Sequence, residues 1–411
     1  MRRPLSPISG GIALAALWAV GCHGDLYPFG TDAGRIDAPV ADVPGKVDAP
    51  GTPDANVPCP DNPPVGYATM SDVGGEWDGG TTGMPNLQVS GGVTGGGSST
   101  PVIINESDAN ALAEFSMYAS DKTPGPLTIL INGKINIPPP PDGGSGDLQK
   151  IRVSSNKTVA GMGAGSGFTG GSITLTDVSN VILRNLVIDM PNADAAGDNV
   201  DAIHIESSHQ IWVDHCDLSS SGTTGTPSYD GLIDISDGSD FVTVSWTHYH
   251  EHGDTGLVGR SDSSAAAAED ASKNHVTYDH DWFSDVLTGP RVRFGSIHVL
   301  NSLFQAVANY GVASIDGANT KIEGSVFENV APPPQSDADF GWVTTILSSA
   351  TAGSVDLVNN VTDATDGTAV LTAQGMVSLP YPYSPGPQDK VKQLVINCAH
   401  AGVVASLPPK N

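Results

Sequence analysis

NVDAIHI (Asn199–Ile205), IWVDHCDLS (Ile211–Ser219), DGLIDISDGSDFVTVSW (Asp230–Trp246), HGDTGLVGRSD (His252–Asp262) and NHVTYDHDWFSDVLTGPRVRFGSIHVLNSLF (Asn274–Phe304) follow one another within one stretch of the chain. Within this stretch, short apolar–polar alternations rich in β-branched and aromatic side chains are set off by Gly, Ser, Asn or Asp. That is the pattern of short strands between turns. The same design continues on both sides. TILINGKI, NKTVAGM and SNVILRNLVI come before it, and TKIEGSVFE and SVDLVNNVTD come after. The runs recur at roughly 20 to 35 residues, the range of solenoid coils. A β-sandwich would favour tight hairpin turns at shorter, more regular spacing. Long, uneven spacing fits parallel coils with loops of varied length. Asn156, Asn180, Asn185, Asn274 and Asn301 recur at related places, as a ladder hydrogen-bonded from coil to coil or as separate turn residues.

Composition points the same way. Gly numbers 49, Pro 31, and only 15% of the 411 residues are charged. Helix formers are scarce, which favours an all-β chain with many turns. One short N-terminal helix is expected over Ser107–Ala119 (SDANALAEFSMYA), with Ser107 or Asp108 as its N-cap. The net charge of -27, with 18 Lys and Arg, excludes a broad basic surface and with it general nucleic-acid binding. An anionic polymer would need a metal or a few clustered cations.

Residues 1–22 read as an export signal. Arg2 and Arg3 precede the apolar run Ile12–Val20, too short for an ordinary membrane span. Ala19-Val20-Gly21-Cys22 resembles a bacterial lipobox with Cys22 as the lipidated residue; plain secretion is the alternative. Residues 23–63 are rich in Pro, Asp and Gly and poor in large apolar residues, the composition of a disordered linker. The folded domain is expected over 64–411, exported to the cell surface or beyond, monomeric, and touching a membrane only through the lipid. Cys59 and Cys398 lie near its two ends and could pair in an oxidising compartment. Cys216, inside an apolar run, is expected as a buried free thiol. No Cys/His spacing suggests zinc, and His204, His248 and His250 show no metal-ligand spacing.

PVGYAT, GGTTG, INGKI, SNKTVAGMG, SNVILRNLVI, DAIHI, IWVDHCDLS, DGLIDI, VTVSW and PRVRFGSIHVLN, in that order, carry a family resemblance. The chain resembles the family 1 polysaccharide lyases, which include pectate and pectin lyases, from about Gly66 to about Val330 with a looser tail. The resemblance implies a right-handed parallel β-helix with a cleft on one sheet. It also implies β-elimination: a proton leaves the carbon alpha to a uronate carboxyl group, and the 4-linked sugar departs. In pectate lyases Ca²⁺ neutralises much of the charge.

Residue by residue, Asn199, Asp201, Asp230 and Asp234 match the family's calcium site, with Asn199 where Asp is usual. Ca²⁺ takes several oxygen ligands in flexible geometry, so a mixed Asn/Asp set suits it. The retained Asp residues favour pectate over methyl-esterified pectin. Arg291 and Arg293, two apart, face one side of a strand. Arg293 matches the family's substrate-binding arginine, and a guanidinium pairs bidentately with a carboxylate. Two positions depart from the pattern. Thr288 stands where the family's presumed catalytic arginine is expected, and Asp254 stands where its cleft lysine is expected. Arg291, Arg260 and Lys273 are the cations that can fill in, and His280 or His252 are alternative bases. These features support a calcium-dependent lyase acting on polygalacturonate. A non-catalytic, calcium-dependent binder of acidic polysaccharide and an enzyme for another acidic polysaccharide are the alternatives.

Overall fold

The chain cycles through three parallel sheets, termed A, B and C. The computed structural model describes residues 58–72, 87–88, 92–138, 149–190, 201–220, 231–270, 273–332, 340–345, 347, 350–371 and 374–404. One coil places Ser179–Arg184 in sheet A, Val187–Asp189 in B and Ile203–Glu206 in C. The next places His209–Asp214, Asp217–Ser219 and Ile233–Ser236 directly beside them. Val181 pairs with Ile211, Val187 with Asp217 and Ile203 with Ile233, all in parallel register. Sheet A extends over ten strands from Val102–Asn105 to Ser354–Val358, while B and C meet in the long strand Leu303–Ile315. The architecture is a parallel β-helix, as the spacing of the sequence runs requires.

Period-two alternation sends one set of side chains inward on every sheet. In sheet B the inward column is Tyr249, Phe283, Phe304 and Phe327, with successive ring centroids 4.5, 4.6 and 4.7 Å apart. All four are buried. At about 1.5–3 kcal/mol for each large buried apolar side chain, such columns hold the coils together. Cys216 is fully buried and unpaired, and burial pushes its thiol up to about 12.

Seven of the ten sheet A strands end in one left-handed residue with φ near 50–60°. Asn185, His215, Trp246, His280, Asn301, Gly324 and Asn359 occupy this corner, all with φ between 48° and 62°. The expected asparagine ladder is therefore only partial. Asn180 Nδ2 donates to Asn156 Oδ1 (2.8 Å), and Asn185 Nδ2 donates to the Gly161 carbonyl (2.8 Å). Between Asn185 and Asn301 the corner is filled instead by His215, Trp246 and His280. Their rings stack at 5.7 and 4.1 Å. Coil spacing of about 4.8 Å lets flat rings replace amide ladders at a position whose only firm demand is positive φ.

The N-terminal helix spans Ala111–Ala119, starting later than the sequence suggests. Asp108 Oδ2 accepts the Asn105 backbone N–H (3.0 Å), so it closes a turn before the helix rather than capping it. Two further helices, Ser264–Asp270 and Gln388–Cys398, were not expected. The second buries Val391, Val395 and Ile396 against Trp282, Leu303 and Val326 on the outside of sheet B. The outside of sheet A is covered by Tyr67 and Met70 packed with Phe241 and Tyr381, and by Ala68 and Val93 packed with Trp212. Cys59 and Cys398 form a disulfide with a Cα–Cα distance of 5.3 Å. Sheet C carries polar and charged residues on its outer face.

Candidate active site

The outer face of sheet C is built by alternation. In Ile203–Glu206, Ile203 and Ile205 are buried in the core, which turns His204 outward. His204 pairs in register with Asp234 of the next coil. One step along, Ile235 pairs with Val258, and Leu257 then pairs with Arg291. The outward row therefore runs from His204 through Asp234 and Leu257 to Arg291.

Asp201 precedes this strand and is 2% exposed; Asp234 is 4% exposed. Asp201 Oδ1 accepts the Gly231 N–H (2.8 Å), and Asp234 Oδ1 accepts the Leu257 N–H (3.1 Å). A Cβ added to Gly231 would lie 2.4 Å from Asp234 Oδ1 and 3.4 Å from Asp201 Oδ1. Both carboxylates thus close on one glycine, so tightly that a larger residue there would push Asp234 aside. Asp201 Oδ2 lies 2.7 Å from His204 Nδ1. Burial lowers the His204 pKa, but the Asp201 hydrogen bond and the charges of Asp201 and Glu206 outweigh it and raise the value overall. Asn199, Asp230 and Cys22 lie outside the described residues.

Asp234, Asp254, Gly256, Leu257, Thr288, Arg291 and Tyr310 line one pocket beside this acidic pair. Asp254 and Thr288 are register partners on adjacent strands, and Thr288 pairs in turn with Tyr310. Thr288 Oγ1 donates to Asp254 Oδ1 at 2.8 Å. The two departures noted in the sequence are therefore a single contact in the pocket wall. Nothing local in the sequence signals it, because the loops between the two residues hide their register. Tyr310 was likewise missed, since LFQAVANYGVASI reads only as a long strand.

The cations fall into three places. Arg291 lines the pocket. Arg293, one strand step away, is 5% exposed. Its Nε donates to Asp262 Oδ1 (2.5 Å) and its Nη1 to the Gly259 carbonyl (3.0 Å), with Asp316 at 3.7 Å. Burial and then the like charge of Arg291 lower its pKa. Arg260 pairs with Asp237 (3.0 Å) and Glu269 (3.1 Å). The Lys273 ammonium lies by Gly238 at the same corner, where an added Cβ would be 2.8 Å from its Nζ. Neither Arg260 nor Lys273 lines the pocket. Of the two histidines, His280 belongs to the sheet A corner. His252 lies two residues before Asp254 on the same strand, with Nδ1 2.7 Å from Ser220 Oγ. Burial pushes its pKa down to about 4, against the charges of Asp254 and Asp201.

A family model described as pectate lyase matches residues 81–404. The chain belongs to the pectate lyase family. Among curated members of that family, a probable pectate lyase B of Aspergillus flavus is 37% identical over 292 residues, 71% of this chain and 79% of the relative. A pectate lyase of Emericella nidulans is 38% identical over 267 residues, 65% of this chain and 69% of the relative. Among solved pectate lyases, one from Bacillus sp. N165 in complex with trigalacturonate superposes with a TM-score of 0.65 at 24% identity. It covers 83% of this chain and 99% of that one. The parallel β-helix is thus the pectate lyase fold.

Proposed function

We infer that this protein is an exported, calcium-dependent pectate lyase that cleaves polygalacturonate by β-elimination. The observation that carries this reading is the pocket in which Arg291 stands beside Asp234, next to Asp201. Asn199, Asp201, Asp230 and Asp234 are the proposed Ca²⁺ ligands. The oxygen-only donor set and the convergence of Asp201 and Asp234 on Gly231 fit a hard cation with flexible coordination. Bound there, Ca²⁺ would neutralise the uronate carboxylate and make the proton on the adjacent carbon easier to remove.

Arg291 is the proposed base: its guanidine, in the neutral form, would take the alpha proton as the bond to the 4-linked sugar breaks, and the guanidinium so formed would face the uronate carboxylate. Arg293, held by Asp262 and the Gly259 carbonyl, fixes the strand on which Arg291 sits and adds positive potential for substrate binding. Arg260 and Lys273, outside this pocket, are left to bind sugar units away from the reacting bond. The domain is proposed to act as a monomer at the cell surface, tethered through a lipid on Cys22.

A second reading is favoured by the Asp254–Thr288 contact. On that reading the cleft binds acidic polysaccharide without cleaving it. Incubation with polygalacturonate, with and without Ca²⁺, separates the two. The lyase yields an unsaturated product that absorbs in the ultraviolet. Retained binding with no absorbance rise across pH and Ca²⁺ concentration would overturn the lyase reading.

A further inference from the structure

The geometry points to a second metal site, for Zn²⁺ or a similar transition ion, formed by Asp217, His248 and His250 on the outer face of sheet B. The strand His248–Asp254 turns Tyr249 into the core, so His248 and His250 both face outward. Asp217 of the preceding coil pairs in register with His248. One ligand atom from each of the three residues lies within 4.8 Å of the others. Asp217 Oδ1 is 3.0 Å from His250 Nε2, and Asp217 Oδ2 is 3.7 Å from His248 Nδ1. Ligand atoms about 2.0–2.1 Å from a tetrahedral Zn²⁺ stand about 3.3 Å from one another, between these two distances.

Three further observations favour a metal over a simple hydrogen-bonded trio. The outer nitrogen of His248 has an oxygen partner. His248 Nε2 is 2.8 Å from Ser284 Oγ, while Glu251 Oε2, 3.7 Å from His250 Nδ1, is beyond hydrogen-bond reach and adds only charge. A partner such as Ser284 fixes the tautomer and ring orientation of a metal-ligating histidine. The rings are also clamped, His248 stacking on Trp282 at 4.0 Å and on His250 at 4.3 Å. Finally, the three side chains are 24%, 14% and 21% exposed in chain order, so an ion can enter and keep a solvent ligand. Asp285 and Glu251 add negative potential around His250.

Two imidazoles and one carboxylate suit Zn²⁺, Co²⁺, Ni²⁺ or Cu²⁺ and not Ca²⁺, which prefers oxygen throughout. His250 and Asp254 are four residues apart on one strand, about 13 Å. The site is therefore separate from the pocket and does not depend on the lyase reading. The sequence reading found no metal-ligand spacing at His248 and His250, because the H-x-H pair shows only a shared strand face and the aspartate comes from one coil earlier.

The test uses untagged full-length protein stripped with EDTA and titrated with Zn²⁺ by calorimetry and with Co²⁺ by visible absorption. One equivalent of Zn²⁺ is expected to bind in the micromolar range or tighter, unaffected by millimolar Ca²⁺, with the intense bands of four-coordinate Co²⁺. His250→Gln and Asp217→Asn should each weaken Zn²⁺ binding at least tenfold while the far-ultraviolet circular dichroism stays unchanged. Asp234→Asn should leave the Zn²⁺ affinity as it was. Parental Zn²⁺ affinity in both cluster variants, or no saturable Zn²⁺ binding in the parent, overturns the site.

Discussion

The acidic and basic sides of the cleft lie on neighbouring coils, Asp234 on sheet C and Asp254 with Thr288 at the end of sheet B, yet they relate differently to the expected pattern. On the acidic side, Asp201 and Asp234 close on Gly231. On the basic side, the positions expected to hold a lysine and an arginine hold Asp254 and Thr288, bonded to each other at 2.8 Å. The same β-helix register supports both. A scaffold of stacked strands keeps side-chain positions in place whatever occupies them, so the make-up of one wall does not dictate that of the other.

The largest expected effect tests whether the basic side still works. Arg291→Ala should reduce turnover of polygalacturonate by about 10³-fold, the scale of losing a positioned proton-transfer group. The rate of ultraviolet absorbance increase measures it, and an unchanged rate would move the chemistry out of this pocket. Next, Asp234→Asn should cost about 10²-fold at low Ca²⁺, with partial recovery as Ca²⁺ is raised. A loss independent of Ca²⁺ would detach Asp234 from the cation.

His252 lies close to both sides. Its pKa is about 4 when folded and near 6.5 when unfolded, so the unfolded chain binds more protons between those values. Stability should therefore fall as pH drops from about 6.5 to about 4, with His252 contributing on the order of 2–3 kcal/mol. His252→Gln should flatten that part of the pH–stability curve measured by urea unfolding. The smallest effect sharpens the comparison most. Asp254→Asn removes a negative charge facing an anionic substrate and should raise kcat/KM severalfold, about 1 kcal/mol for charges ~4 Å apart in a water-like dielectric. A drop instead would mean that the Asp254–Thr288 bond holds the pocket in shape.

Much of this was legible in the sequence for one reason. A β-helix repeats the same local demand on each coil, so alternating runs such as SNVILRNLVI and HQIWVDHCDL announce their inward faces. The corner positions were half legible. Asn185 and Asn301 announce a left-handed residue, but Trp246 with φ 50° does not, because only stacking on its neighbours makes it acceptable there. The helix Gln388–Cys398 was overlooked although Val391 and Val395 stand one helical turn apart. The Asp254–Thr288 contact and the Asp217–His248–His250 cluster were not legible, since both depend on cross-coil register set by loops of unequal length.

The Cys59–Cys398 bond also decides how the domain meets mechanical force. A solenoid pulled at one end unravels coil by coil, because each coil touches only its neighbours. Here tension arriving through residue 58 reaches Cys59 and crosses directly to the helix ending at Cys398. That helix is packed broadside on Trp282, Leu303 and Val326. A pull applied at residue 58 would thus load the several coils that carry these residues, rather than the first coil alone.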